Sequence, residues 1–184
     1  AETILRALKN LSPEDQRAVR ELLAIITRGQ REDLTRWSGG LAALVNAQEL
    51  LDYTYSVAGC VGEFWTRLCF RHVRQFSSRT EDEMLALGNR YGMALQLINV
   101  LRDAGSDLRA GRCYFPEHEL SAVHLTPSQI LSEPERFQPI YRTWLENAKA
   151  GLTSGMEYSR AIKNRRVRGA TVLPALIGAR TLAL

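Results

Sequence analysis

Hydrophobic positions recur at helical spacing along almost the whole 184-residue chain. Ile4, Leu5, Leu8 and Leu11 predict a short first helix over residues 1–10. Ser12-Pro13-Glu14-Asp15 starts a second: Ser12 is the cap, Pro13 takes the first helical position, and Asp15 stands in for the usual Glu of a capping box. Val19, Leu22, Leu23 and Ile26 give this helix an apolar face, with an end expected close to Gly29. After the Ser38-Gly39-Gly40 break, a run begins at residues 45–48 that keeps apolar side chains on nearly every face through Leu68. All-round hydrophobicity predicts a helix in the middle of a bundle. Gly59 and Gly62 inside it would each cost roughly 1 kcal/mol, so they are expected to permit close helix contact or to leave room beside the backbone.

Glu81-Asp82-Glu83 complements the dipole of the next helix, which continues through Met84, Leu87, Tyr91, Ala94, Leu95 and Ile98, with Gly88 and Gly92 one turn apart. Thr126-Pro127-Ser128 starts a short helix that Pro134 is expected to break. Helical spacing returns over 137–162, and residues 170–184 are apolar, predicting a core helix with Pro174 near its beginning. Period-two alternation never lasts more than a few residues. The pattern predicts an all-α bundle in one domain, with some six to eight helical elements.

One stretch breaks the apolar pattern in an ordered way. Within Gln96–Pro116, Gln96, Asn99, Asp103 and Asp107 fall at i, i+3, i+7 and i+11 and form one polar stripe. Leu97, Ile98, Val100 and Leu101 occupy most of the remaining circumference. The two carboxylates lie one turn apart, roughly 6 Å along the axis. Desolvated and unpaired they would cost several kcal/mol. A divalent cation such as Mg²⁺ would offset that, while Arg102, Arg109 and Arg112 could hold diphosphate oxygens. In isolation the same pair also reads as surface Asp–Arg pairing at a helix end. Asp33 reads as solvent-facing or salt-bridged rather than as a ligand.

Composition narrows the classes. Hydrophobic residues make up 45% and charged residues 24% of the chain, as in ordinary globular domains. A net charge of +4 suits anionic ligands or an acidic membrane surface and is too small to indicate nucleic acid. Cys60, Cys69 and Cys113 form neither a CxxC pair nor a disulfide framework, which fits a reduced, cytoplasmic setting. His72, His118 and His124 lack zinc spacing. No stretch reaches about 18 uninterrupted apolar residues, so no membrane span is expected. Residues 163–168, Lys-Asn-Arg-Arg-Val-Arg, are the most concentrated basic run.

Gln96-Leu97-Ile98-Asn99-Val100-Leu101-Arg102-Asp103, then Asp107 and Gly111-Arg112-x-Tyr114-Phe115-Pro116, closely resembles the second aspartate-rich motif of the squalene/phytoene synthase family. Tyr53-x-Tyr55-x-Val57-Ala58-Gly59-x-Val61-Gly62 resembles that family's tyrosine-led VAG-x-VG helix. The resemblance implies an isoprenoid-synthase-type helical bundle over residues 1–184, corresponding to the later two-thirds of the family domain, with the N-terminal part expected to be missing. It implies that Asp103 and Asp107 coordinate Mg²⁺, that Gln96 and Asn99 line the polar site, and that Arg102 and Arg112 contact prenyl diphosphate. Tyr53 would sit beside the reacting prenyl end, with Val57 and Val61 continuing one wall along the hydrocarbon; an aromatic face stabilises a nearby cation by roughly 0.5–2 kcal/mol.

The reaction so implied joins two farnesyl diphosphates head to head through a cyclopropylcarbinyl diphosphate. The basic run and the following Pro174–Ala183 pattern favour the squalene branch, with NADPH held by Asn99, Lys163 and Arg165. The alternative is a phytoene or dehydrosqualene synthase, which needs no NADPH. Two departures stand out: Ser106 replaces an acid of the family's RDxxED block, and no DxxxD precedes Asp103. A noncatalytic isoprenoid- or protein-binding relative is therefore the competing class. Greasy substrates and products allow a peripheral membrane contact.

Overall fold

The computed structural model describes residues 2–183, with the side chains of residues 2–4 excluded, so Ala1, Leu184 and the Ile4 side chain lie outside the described residues. Its axis is α5 (Glu81–Arg109), started by a reciprocal capping box between Thr80 and Glu83. Met84, Leu87, Tyr91, Ala94, Leu97, Ile98, Val100, Leu101 and Leu108 are buried along it, so it touches neighbours on several sides as the apolar pattern requires. Against one side runs α7 (Pro134–Ala161). A Cβ on Gly151 would press on Ala94, and one on Gly155 on Tyr91, which makes the two helices antiparallel.

On another side, α3 (Ala47–Thr54), capped by Asn46, continues through a π-helical turn at Tyr55–Gly59 into α4 (Cys60–His72). Here the glycines act in close packing: a Cβ on Gly62 would overlap the Gly88 carbonyl oxygen, and one on Gly92 would overlap that of Ala58. Thr66 fills the seam, donating or accepting across 2.9 Å to the Tyr158 hydroxyl.

Three boundaries differ from the sequence expectation. α2 (Pro13–Arg36) passes straight through Gly29, because that glycine lets Ser56 approach the helix rather than ending it. Pro134 opens α7 instead of breaking the preceding turn, since an N-terminal proline loses no helical hydrogen bond. The last helix, α8 (Arg165–Thr181), absorbs most of the basic run, places Pro174 in its interior, and buries only Ala175 and Gly178. It is not the core helix its apolar content predicts.

The remaining elements are short. α1 (Glu2–Lys9) leads the chain, and α6 (Glu117–Ala122) precedes a 3-10 turn at Pro127–Gln129. A parallel pair, β1 (Ala42–Leu44) and β2 (Arg112–Pro116), joins the loops before α3 and after α5. Gly111, with φ of 83°, turns the chain from α5 into β2. These strands are too short to leave a periodic signal.

The start of α2 is clamped to the end of α4 by Asp15, which accepts from Arg71 and lies 2.8 Å from His72 Nε2. Burial alone would raise the Asp15 carboxyl; its bonds to Arg71, His72 and Ser12 outweigh that and hold it below its ordinary value of 3.8. A depressed folded pKa gives stability that is present above the unfolded value and lost as pH falls through the folded one. Asp15→Asn is thus expected to flatten the acid limb of the stability curve below about pH 4, read by urea unfolding across pH. An unchanged acid limb would show that the clamp contributes nothing.

Candidate functional site

The polar stripe on α5 forms, and its upper half meets the end of α3. Gln96 Nε2 donates to the Tyr53 hydroxyl at 3.2 Å, and Asn99 Nδ2 donates to Gln96 Oε1 at 3.4 Å. The Tyr53 ring stacks on Tyr114 of β2, centroids 4.6 Å apart at 27°. Trp37 meets the far edge of Tyr114 in a T-shaped contact at 5.4 Å. Beneath both, Asp33 of α2 accepts from Trp37 Nε1 at 2.8 Å and from the Tyr114 hydroxyl at 3.2 Å. Burial raises the Tyr53 phenol above its ordinary value and pushes that of Tyr114 well above it, so both stay protonated hydrogen-bonding groups.

Asp33 is partly exposed, forms no ion pair among the described residues, and fixes the aromatic stack behind Tyr53. Asp33, Trp37 and Tyr114 were missed as site residues. Trp37 one turn after Asp33 was a readable signal; the Tyr114 contact, 81 residues away, was not. A cleft of about 430 Å³ opens beside the stack, lined by Arg28, Asp33, Arg36, Glu49, Asp52 and Tyr53 among others.

In the lower half of the stripe each carboxylate carries a guanidinium. Arg102 grips Asp103 through both a 2.8 Å and a 2.6 Å bond, which holds the Asp103 carboxyl below its usual range. Arg112 Nη2 and Nε reach one Asp107 oxygen at 2.8 and 3.1 Å, and this contact raises the guanidinium's own pKa. Asp103 is 42% exposed at its side chain and Asp107 only 15%, so the first faces water and the second a sheltered rim.

This donor set fits Mg²⁺ in one mode. No group of three or more metal-ligating side chains occurs among the described residues, so protein donors do not form a complete cage. Mg²⁺ commonly takes one or two carboxylates and completes its shell with water and substrate phosphates, and Asp103 and Asp107 with two adjacent arginines match that requirement.

The NADPH assignment finds no such support. The turn holding Lys163 and Arg165 is tied to the loop before α5: Lys163 N–H donates to the Phe76 carbonyl at 2.8 Å, and Ser77 pairs with Ile162. Asn99 lies five helical turns further along α5, roughly 27 Å at 1.5 Å per residue. These three residues are not brought together, because antiparallel α7 returns the chain to the opposite end of the bundle. Val57 and Val61 do line a common surface, an apolar groove of about 480 Å³ with Gly88, Gly92, Leu95 and Pro174. Tyr53 faces the other cleft, so the expected wall divides at the π-helical turn.

The squalene/phytoene synthase family model matches residues 1–184. The bifunctional lycopene cyclase/phytoene synthase of Arthroderma gypseum is 33% identical over 148 residues, covering 78% of this chain and 25% of the relative. The 4,4'-diapophytoene synthase of Staphylococcus haemolyticus is 39% identical over 89 residues, covering 48% of this chain and 28% of the relative. The chain therefore spans about a quarter of the length of these curated relatives. Among solved structures, a squalene synthase from Alicyclobacillus acidocaldarius superposes with a TM-score of 0.72 at 20% identity, covering 89% of this chain and 57% of that one. At that identity the likeness establishes the fold, an all-α isoprenoid-synthase bundle.

Proposed function

We propose a function from one premise: this chain belongs to the squalene/phytoene synthase family. Residues 1–184 are the part of a head-to-head prenyl transferase that carries one diphosphate site and part of the hydrocarbon surface. The reaction ends by proton loss, giving phytoene or dehydrosqualene, rather than by NADPH reduction to squalene. The observation that carries this reading is the α5 face, on which Gln96, Asn99, Asp103 and Asp107 run from the Tyr53 phenol to two arginine-held carboxylates. The separation of Lys163 and Arg165 from Asn99 favours the proton-loss branch over the NADPH branch. So do the names of relatives above 30% identity, a phytoene synthase and a diapophytoene synthase.

In this reading Arg102 and Arg112 exchange their carboxylate partners for diphosphate oxygens, which their planar forks match equally well. Asp103 and Asp107, so released, are the residues that would hold Mg²⁺. Bound there, the cation would neutralise charge on the departing diphosphate. Gln96 and the Asp33–Tyr114 stack fix the Tyr53 ring, giving an allylic cation a polarisable face in place of water. The groove along Val57, Val61 and Leu95 takes the hydrocarbon.

Incubation of the full-length protein with labelled farnesyl and geranylgeranyl diphosphates and Mg²⁺ is the test. A C30 or C40 hydrocarbon formed without NADPH is expected, and the substrate consumed gives the chain length. Squalene formed only with NADPH would replace this branch by the other. Stoichiometric binding with no diphosphate release would assign the chain to the noncatalytic class.

A further inference from the structure

The two ends of the apolar groove carry different side chains. α4 and α5 run antiparallel, because Ala58 faces Gly92 and Gly62 faces Gly88. The end at Val57 and Leu95 therefore lies next to Gln96, whose amide holds the Tyr53 hydroxyl at 3.2 Å. The far end lies at Gly88, where an added Cβ would also meet the Thr66 hydroxyl, so Trp65 stands at that level. Val57, Val61 and Trp65 recur every four residues and form one wall.

At the far end the groove is lined by Gly62, Gly88 and Ala170, which are small, and by two large rings, Trp65 and Tyr158. Tyr158 is 2% exposed, bonded to Thr66 at 2.9 Å and in edge contact with Phe76 at 6.3 Å, which shuts the bottom. Trp65 is 42% exposed and joins neither buried cluster, so core packing does not account for it.

We propose that Trp65 sets the length of the hydrocarbon: its indole stops the chain at the third isoprene unit and so selects fifteen-carbon farnesyl diphosphate over its twenty-carbon homologue. The inference rests on the reading that this groove takes the prenyl chain. From Leu95 to Gly88 the groove runs about 10 Å along α5, at 1.5 Å per residue. Each isoprene unit adds four main-chain carbons, about 5 Å when extended at ordinary carbon–carbon bond lengths. With the reacting unit beside Tyr53, farnesyl has two more units, about 10 Å, and fills the groove. Geranylgeranyl has three, about 15 Å, and its last unit must displace the indole or lie over it in water. The other groups at that level cannot give way, since Gly62 and Gly88 meet backbone to backbone and Tyr158 is held by Thr66.

The test compares the full-length wild type with W65A and W65F, each checked for an unaltered thermal transition. Two ratios are read: kcat/KM for farnesyl against geranylgeranyl diphosphate with Mg²⁺, and calorimetric affinity for the two thiodiphosphate analogues. The wild type is expected to favour farnesyl at least about tenfold in both, W65A to move both at least about tenfold toward geranylgeranyl, and W65F to hold them within about threefold. A purely structural role for Trp65 would weaken both substrates alike and leave the ratios in place. Ratios that W65A leaves unchanged, or a wild type that favours geranylgeranyl, would overturn the assignment of Trp65 while the prenyl-diphosphate reading stands. Neither turnover nor binding of either compound by the wild type would overturn that reading, and this inference with it.

Discussion

Asp107→Asn is expected to lower Mg²⁺-supported turnover of prenyl diphosphate at least about a hundredfold, with little change in the thermal transition. The substitution is close to isosteric and keeps an acceptor for Arg112, which now reaches Asp107 at 2.8 Å. What it removes is the negative charge that a divalent cation needs. Asp107 is the more sheltered carboxylate of the pair, so water has less access to substitute for it than at Asp103. A structural role alone predicts the opposite profile: lost stability with turnover preserved in the remaining folded fraction. Raising Mg²⁺ should recover part of the activity, because the defect lies in the cation's affinity. Full activity at low Mg²⁺ in the variant would remove Asp107 from the site.

The second large effect concerns stability. Gly62→Ala is expected to destabilise the protein by about 2–3 kcal/mol, and Gly62→Val to prevent folding or lower the melting temperature further. A Cβ at residue 62 would overlap the carbonyl oxygen and carbon of Gly88, which are backbone of α5 and cannot rotate aside. The two helices would have to separate, opening the Thr66–Tyr158 contact beneath them. Helix propensity alone predicts the reverse, since Ala gains about 1 kcal/mol over Gly inside a helix. The sign of the change therefore decides whether close approach governs this seam. Gly169→Ala is the matched control, because nothing lies within 4 Å of a Cβ there.

What the sequence conveyed depended on whether the signal was local. The Ser12 cap, the burial of α5 on several sides and the polar stripe from Gln96 are properties of a few neighbouring positions, and they formed as read. Gly29 looked like a helix end because glycine is permissive, whereas its contact with Ser56 belongs to another helix. Apolar content over 170–184 suggested a core helix, but composition does not say whether a partner lies opposite. Asp33 became a site residue only when β2 brought Tyr114 to it. Grouping Lys163 and Arg165 with Asn99 failed for the converse reason: no local feature reveals that α7 carries the chain back to the start of α5.

The central claim, that the α5 face with its two carboxylates is a Mg²⁺-dependent prenyl-diphosphate site, is tested most directly by calorimetric titration with farnesyl thiodiphosphate, an analogue that resists ionisation. Binding is predicted with Mg²⁺, lost with EDTA, and lost in the D103N/D107N double variant. Equal binding in EDTA, or full Mg²⁺-dependent binding by the double variant, would contradict it.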